Sequence, residues 1–184
     1  ASALLNGIPG FRHKFHNFRL SQSVENAYHA LALDDERKTF HPVLWSREFE
    51  SYQSVQQVWF GGMHADVGGG YKEQDLSDIP LVWMTEKAMN CGLLLYHSHK
   101  VTIAEDADGV MHNSRATMTM KLFRRKVRSW DEALHGTPVI HQSVLDRTKD
   151  QSNAESSSYH PWILEHDHDI EPWIRYKDQG WRIR

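Results

Sequence analysis

The chain has 184 residues, of which 40% are hydrophobic and 11% aromatic, and its 21 Lys and Arg against 24 Asp and Glu give a formal net charge of −3. This length and composition predict one domain with a sizeable buried core. The near-neutral balance excludes a surface that is basic throughout, and no apolar run approaches the roughly 20 residues of a membrane-spanning helix. The single cysteine, Cys91, excludes an internal disulfide.

The first predicted element is a helix that begins near residue 21. Ser21 or Ser23 is a suitable N-terminal cap, because serine side chains accept hydrogen bonds from the first turn of a helix. Four apolar side chains follow at the spacing i, i+3, i+4 and i+7: Val24, Ala27, Tyr28 and Leu31. This spacing places them on one helical face, and the charged run at 34–38 marks the expected end of the helix.

Two strands and a second helix are predicted next. The short apolar run at 40–45 and the β-branched and aromatic run at 55–60 are typical of strands, and the second run stops abruptly at Gly61. The segment 79–90 is apolar on nearly every side, which predicts a buried helix. Ser77 or Asp78 is its expected cap, and Gly92 suits its C-terminal end.

The second half of the chain has weaker patterns, and we predict an irregular C-terminal extension over residues 100–184. A turn is expected at 106–109, and the basic positions between 124 and 128 are interpreted as a solvated face, with a binding site as the alternative. The polar, serine-rich composition of segment 151–158 predicts a loop. The aromatic residues between 159 and 181 predict that the tail packs back onto the body.

The most informative segment is 58–71, where a predicted strand leads into a glycine-rich loop that carries His64 and, two residues later, Asp66. Catalytic groups of α/β folds collect where strands end, and histidine suits proton transfer near neutral pH. Glycine permits backbone conformations closed to other residues. The loop glycines are Gly61, Gly62, Gly68, Gly69 and Gly70. The alternative is a tight turn without catalytic function. A phosphate-binding loop is disfavoured because its motifs are absent.

Other polar clusters carry weaker signals. His97 and His99, and the acidic and histidine-rich segment 165–169, have the residue types of metal ligands but no recognised spacing, so solvated side chains are the default and no metal or cofactor is predicted. Ser143 has a histidine and an aspartate near it in the sequence, His141 and Asp146, which together are the residue types of a catalytic triad.

These neighbours, His141 and Asp146, lie on the same local element as Ser143, and we expect capping or packing rather than convergence. Cys91 is interpreted as a small core residue rather than a nucleophile.

The block 58–71, followed by 76–84, resembles the hallmark block of an uncharacterised α/β-hydrolase domain family that includes type VI secretion lipase effectors with phospholipase activity. Four further segments agree in order with the same family: 25–37, 40–45, 140–147 and 159–161. The resemblance implies an α/β-hydrolase-like fold and a Ser, Asp and His set in that chain order. It places the histidine at His64, as the general base.

The other two catalytic members of the family are absent from this sequence. No serine has glycine two residues before it, and no Trp-Asp-Thr-Val-like motif is present. The resemblance therefore implies that residues 1–184 are the C-terminal portion of one incomplete α/β-hydrolase-like domain, with the sheet, helices and histidine loop in 1–99. The first residue, Ala1, is consistent with truncation. Asp66 is expected to brace the loop through backbone amides rather than to serve as the catalytic acid.

Two functions remain open from the sequence. The first is part of a serine-type carboxylic ester hydrolase that acts on lipids or phospholipids, with the nucleophile and the acid outside this chain. The second is a non-catalytic hydrolase-like module that binds a secretion or immunity protein. Neither requires a cofactor or nucleic acid, and both are compatible with the cytoplasm of the producing cell or with secretion as an effector.

Overall fold

A computed structural model describes residues 19–95, 102–116, 122, 124–149 and 159–178. Its centre is a four-stranded sheet in the order β1-β2-β3-β4, and every neighbouring pair is parallel. The strands are β1 (Asn26–Ala32), β2 (Ser54–Phe60), β3 (Val139–His141) and β4 (Asp169–Glu171). This architecture confirms the α/β class.

Among the described residues, four α-helices accompany the sheet: α1 (His64–Gly68), α2 (Asp75–Asn90), α3 (Glu132–His135) and α4 (Gln142–Lys149). Three short 3-10 turns lie at Lys38–Phe40, Trp162–Glu165 and Tyr176–Asp178. Within the part of the chain that is described, no helix has both the length and the apolar character needed to cross a membrane.

The helix predicted from residue 24 is wrong, because this segment forms β1. All seven residues of β1 pair with β2, from Asn26 opposite Ser54 to Ala32 opposite Phe60. The strand is apolar on both faces, as parallel strands usually are, so its apolar positions also fitted a helical spacing. Pairing with β2 decides between the two structures.

The strand predicted at 40–45 is also wrong. Phe40 ends the 3-10 turn Lys38–Phe40, and residues 41–46 have no regular structure. The run is short and contains Pro42, which lacks a backbone N–H for pairing. Phe40 and Pro42 line a cleft, whereas Leu44 packs against a core cluster.

The predictions of β2 and of a helix over the apolar segment are confirmed, but the start, the N-terminal cap and the buried face of α2 differ from the prediction. The helix begins four residues earlier than residue 79, at Asp75, so the expected caps Ser77 and Asp78 lie inside it. Its buried residues all fall between Leu76 and Trp83, so the helix is buried along its first half only, and not all round as predicted. It ends at Asn90, two residues before the predicted cap Gly92.

Side chains cover both faces of the sheet. One buried cluster consists of Leu31, Leu33, Trp59, Ile140, Val144 and Ile163. The other consists of Val58, Phe60, Val67, Leu76, Ile79 and Trp83. Coverage of both faces is what a parallel sheet requires.

The irregular extension predicted for residues 100–184 is wrong in one respect, because β3, α4 and β4 lie within it. These strands have three residues each, too few for a clear sequence pattern. The turn near Asp106 is confirmed, as is the packing of the tail, since Tyr159, Trp162 and Trp173 contact the two core clusters. His97, His99, Trp181 and the segment 151–158 lie outside the described residues.

Candidate active site

The carboxyl ends of β1 and β2 bring two segments together. Beyond the paired strands, the amide of Leu33 donates to the carbonyl of Phe60 at 3.0 Å, and the amide of Asp34 donates to the carbonyl of Gly62 at 3.0 Å. The turn that follows β1 therefore lies alongside the turn that precedes α1. Sites of open α/β sheets form at this end of the strands.

His64 is the first residue of α1, rather than part of a loop, and it contacts the carboxylate of Asp35. The distance from His64 Nδ1 to Asp35 Oδ2 is 2.8 Å. The Asp35 side chain is fully buried, whereas 43% of the His64 side chain is exposed. The register of β1 and β2 thus joins an interior carboxylate to an accessible imidazole.

Arg37 neutralises the buried carboxylate. Its Nε and Nη2 donate to the two oxygens of Asp35 at 3.0 and 2.7 Å, and its backbone amide donates at 3.1 Å. Burial by itself raises the pKa of Asp35, but the hydrogen bonds from Arg37 and His64 outweigh burial and lower this pKa to about 2. Asp35 is consequently ionised at neutral pH.

The protonation of His64 follows from its neighbours. Arg37 Nη2 also lies 2.7 Å from His64 Nδ1, but Nδ1 cannot donate to Asp35 and accept from Arg37 at once. We assign the proton to Nδ1, because a lone pair there would face an ionised carboxylate oxygen at hydrogen-bond distance. In the neutral imidazole this assignment places the lone pair on Nε2, which can accept a proton.

A cleft of about 480 Å³ opens beside His64. Much of its lining is apolar: Ala30, Ala32, Phe40, Pro42, Leu81 and Met84. The ring of Phe40 lies 4.6 Å from that of His64 and also carries the guanidinium of Arg37, 3.9 Å from its centroid. Polar side chains such as Gln74 and Asp78 complete the lining. The imidazole therefore faces a space with a predominantly apolar wall.

Asp66 contacts backbone amides and a second histidine. Its Oδ2 accepts from the amides of Met63 and His112 at 3.0 and 3.1 Å, and its Oδ1 lies 2.6 Å from His112 Nδ1. His112 also stacks on Tyr71, with ring centroids 3.6 Å apart. Asp66 thereby connects the start of α1 to the segment 102–116.

The loop glycines have different surroundings. At Gly62, φ is +106° and an added Cβ would lie 2.5 Å from the Cβ of Asp66, so both conformation and space require glycine there. An added Cβ at Gly61 would lie 3.3 Å from the hydroxyl oxygen of Tyr159. At Gly68, Gly69 and Gly70 an added Cβ would have no atom within 4 Å.

His141 and Ser143 contact each other inside the core, where they have the packing role that was predicted. Ser143 Oγ lies 2.8 Å from His141 Nδ1, and the two residues are 6% and 1% exposed. Burial lowers the pKa of His141 to about 3, and its ring stacks on Phe60 at 4.7 Å. Asp146 instead accepts from Gln142 Nε2 at 3.1 Å. The pair therefore packs the sheet and has no access for a substrate.

Three other predictions concern a metal site, Cys91 and the basic stretch. Among the described residues, no group of three or more His, Cys, Asp and Glu side chains is arranged to hold a metal ion. Cys91 is exposed rather than in the core, because it caps the end of α2. The basic stretch is only partly a solvated face. Arg125 pairs with Glu36 at 2.6 Å, whereas Arg128 is buried and its Nε donates to the carbonyl of Ala32 at 3.1 Å.

Asp35 and Arg37 were not among the predicted site residues. The segment before them was predicted to be a helix, and their charges were interpreted as the polar end of that helix. Two adjacent carboxylates directly after an apolar strand would have been the signal, since such a strand delivers them to the carboxyl edge of a sheet.

Residues 5–87 match a family model described as type VI secretion system (T6SS) phospholipase effector Tle1-like, catalytic domain. The matched range contains β1, β2, α1, most of α2 and the pair Asp35 and His64. No curated protein and no solved structure matches the chain. Residues 5–87 are therefore similar to the catalytic domain of Tle1-like phospholipase effectors of the type VI secretion system, in agreement with the resemblance found in the sequence.

Proposed function

We propose that this chain supplies the general base and its orienting carboxylate to a serine-type hydrolase of phospholipid or other lipid esters. The observation that carries the proposal is the 2.8 Å contact between His64 Nδ1 and the buried, ionised Asp35, with the imidazole open to a cleft. The family match supports a phospholipase, and the adjacent positions after β1 and β2 support an α/β-hydrolase-like arrangement of acid and base.

In this mechanism His64 Nε2 removes the proton of a serine hydroxyl as that oxygen attacks the ester carbonyl. The imidazolium then protonates the departing alcohol, and water completes the cycle by the reverse transfers. Asp35 holds the imidazole with Nδ1 protonated and stabilises its positive charge. Arg37 keeps Asp35 ionised in the interior. The resemblance placed the acid outside this chain, and the geometry supports Asp35 in that role instead.

The serine comes from outside these 184 residues in our proposal, because no serine in the sequence has glycine two residues before it. The cleft supports an ester with an apolar chain, since its volume of about 480 Å³ falls within the usual range of ligand sites, roughly 300–1,000 Å³, and much of its wall is apolar. Asp66 and Gly62 serve the position of α1 rather than the chemistry.

The test uses a gene product that contains these residues together with a Gly-x-Ser-x-Gly segment, and it measures fatty-acid release from phospholipid vesicles. We expect His64→Gln to lower kcat by at least about 10³-fold. The matched control His166→Gln removes an exposed histidine and should retain activity. The 184-residue chain alone should show no turnover. Unchanged activity of His64→Gln would overturn the proposal, and turnover by the chain alone would overturn the external serine.

A further inference from the structure

A tyrosine from the C-terminal part of the chain contacts the turn that leads to His64. Tyr159 Oη donates to Asp34 Oδ2 at 2.8 Å, and the amide of Gly62 donates to the same oxygen at 2.6 Å. The amide of Asp34 in turn donates to the carbonyl of Gly62 at 3.0 Å. The backbone of Gly62 is thus held from both sides by one residue, which is itself held by Tyr159.

We propose that Asp34 and Tyr159 form a positioning pair that fixes the turn at Gly61 and Gly62, and through this turn places His64 for ester hydrolysis. This inference rests on the proposed function for its catalytic consequence. Neither side chain contacts His64 in the described structure, so both act through the backbone of the turn. Catalytic geometry is sensitive to such support, because a displacement of about 1 Å can cost about 10²-fold in rate.

The two adjacent carboxylates have separate partners. Asp35 contacts His64 Nδ1 and Arg37, whereas Asp34 contacts the amide of Gly62 and the hydroxyl of Tyr159. One carboxylate serves the imidazole and the other serves the turn two residues before it.

The phenol of Tyr159 has little freedom to move. It packs against the core cluster that contains Leu31 and Trp59, and the guanidinium of Arg147 lies 5.6 Å from its ring centroid. Arg147 Nη1 donates to the carbonyls of Ala107 and Gly109 at 2.5 and 2.9 Å, so it is also anchored. The hydroxyl of Tyr159 would lie 3.3 Å from an added Cβ at Gly61, which places it directly against the turn.

The charges around Asp34 make the pair sensitive to pH. Burial raises the pKa of Asp34, while the hydrogen bonds from Gly62 and Tyr159 and the charge of Arg147 lower it, and Asp66 raises it. The cation of Arg128 also faces Asp34. Burial raises the pKa of Tyr159 well above its usual value, so its hydroxyl remains a donor. Loss of this donor therefore raises the pKa of Asp34 further.

Tyr159 also lies beyond residues 5–87, the range that matches the family model, whereas Asp34 and Gly62 lie within it. The C-terminal part of this chain consequently completes the site rather than extending it. Variants of Tyr159 test this statement without touching any residue in the proposed chemistry.

The first test is the pH dependence of kcat in the active gene product. We expect Tyr159→Phe to lower kcat about 10- to 100-fold with KM changed less than about twofold, and to move the acidic limb of the profile to higher pH. Tyr52→Phe is the matched control, because it removes an exposed hydroxyl that donates to the carbonyl of Gln22 at 2.6 Å. In an Asp34→Asn background, Tyr159→Phe should cause no further shift of the acidic limb. A uniform loss at every pH would indicate a structural role only and overturn the proposal.

The second test does not require hydrolysis. In the 184-residue chain, amide hydrogen exchange at Gly62 should be at least about 10-fold faster in Tyr159→Phe than in the wild type, with Leu33 exchange unchanged as an internal reference. Asp34→Asn, which keeps the size of the side chain, should have the same effect if Tyr159→Phe fails to fold. Unchanged Gly62 exchange overturns the positioning pair. Faster exchange in this chain, together with no phospholipid hydrolysis by the longer gene product that contains a Gly-x-Ser-x-Gly segment, retains the pair and overturns the proposed function instead.

Discussion

The carboxyl ends of β2 and β3 each carry a histidine, and the two sites differ in ways that define a candidate base. His64 and His141 both contact a phenylalanine ring, at 4.6 and 4.7 Å, and both have a hydrogen-bond partner 2.8 Å from Nδ1. The partner of His64 is an ionised carboxylate and 43% of its side chain is exposed. The partner of His141 is a serine hydroxyl, and the residue is 1% exposed.

This comparison shows that a serine beside a histidine is not sufficient for a hydrolytic site. The lowered pKa of His141, about 3, keeps its imidazole neutral in the core, because burial outweighs the charge of Asp146. Gln142 and Ser143 follow it into α4, and Ser143 is also buried. His64 has the reverse properties, since the charged partner is buried and the imidazole is accessible. Four predictions test this contrast.

The largest expected effect concerns the two partners of the histidines. In the active gene product, Asp35→Asn should lower kcat about 10³- to 10⁴-fold, because an amide can hold the imidazole in the wrong tautomer and cannot stabilise its charge. Ser143→Ala, the equivalent change beside His141, should alter kcat less than about threefold. Phospholipid hydrolysis under single-turnover conditions measures both. Equal losses would show that the two sites do not differ in function.

The second effect is on stability in acid. Because the pKa of His141 is lowered from 6.5 to about 3 in the folded state, the unfolded state binds a proton first as the pH falls. The free energy of unfolding should therefore decrease between pH 6.5 and 3, by several kcal/mol in total. His141→Gln should remove this part of the pH dependence, while His166→Gln should not. Urea unfolding followed by tryptophan fluorescence provides the measurement.

The third effect is smaller and comes from a group that is charged, rather than neutral, in the folded state. The pKa of Asp35 is lowered from 3.8 to about 2, so its carboxylate stabilises the folded state above pH 3.8, and this contribution is lost as the pH falls through about 2. The difference corresponds to about 2 kcal/mol. In a His141→Gln background, the additional change Asp35→Asn should flatten the remaining slope between pH 4 and 2. A slope that persists would assign it to other carboxylates.

The smallest effect distinguishes two glycines of the His64 segment. Gly62 and Gly69 both have positive φ, +106° and +80°, but only at Gly62 would a Cβ meet another side chain, at 2.5 Å from Asp66. Alanine at either position carries backbone strain of about 1 kcal/mol or more, and Gly62→Ala should lose about 1–2 kcal/mol beyond Gly69→Ala because of the clash. Thermal unfolding compares them. Equal losses would mean that the turn relaxes away from Asp66.

Several elements could be predicted from the sequence because their signals are local. The β-branched run that forms β2 ends at paired glycines, and the long apolar segment of α2 is followed by Gly92. By contrast, β1 is apolar on both faces, so its spacing also fitted a helix. The strands β3 and β4 have only three residues each, and a pattern of that length carries no periodicity. Their pairing with β2 and with each other depends on residues far away along the chain.

The sequence by itself determined the α/β class, the similarity of residues 5–87 to Tle1-like phospholipase effectors and the segment that carries His64, because residue order and glycine placement carry this information. Only the tertiary structure decided which carboxylate meets the imidazole, which histidine is accessible, and that Tyr159 reaches the turn before α1. Asp35 and His64 are 29 residues apart, and Asp34 and Tyr159 are 125 apart. Contacts over such separations depend on strand register and side-chain packing, which act between elements and leave no periodic pattern within any one of them.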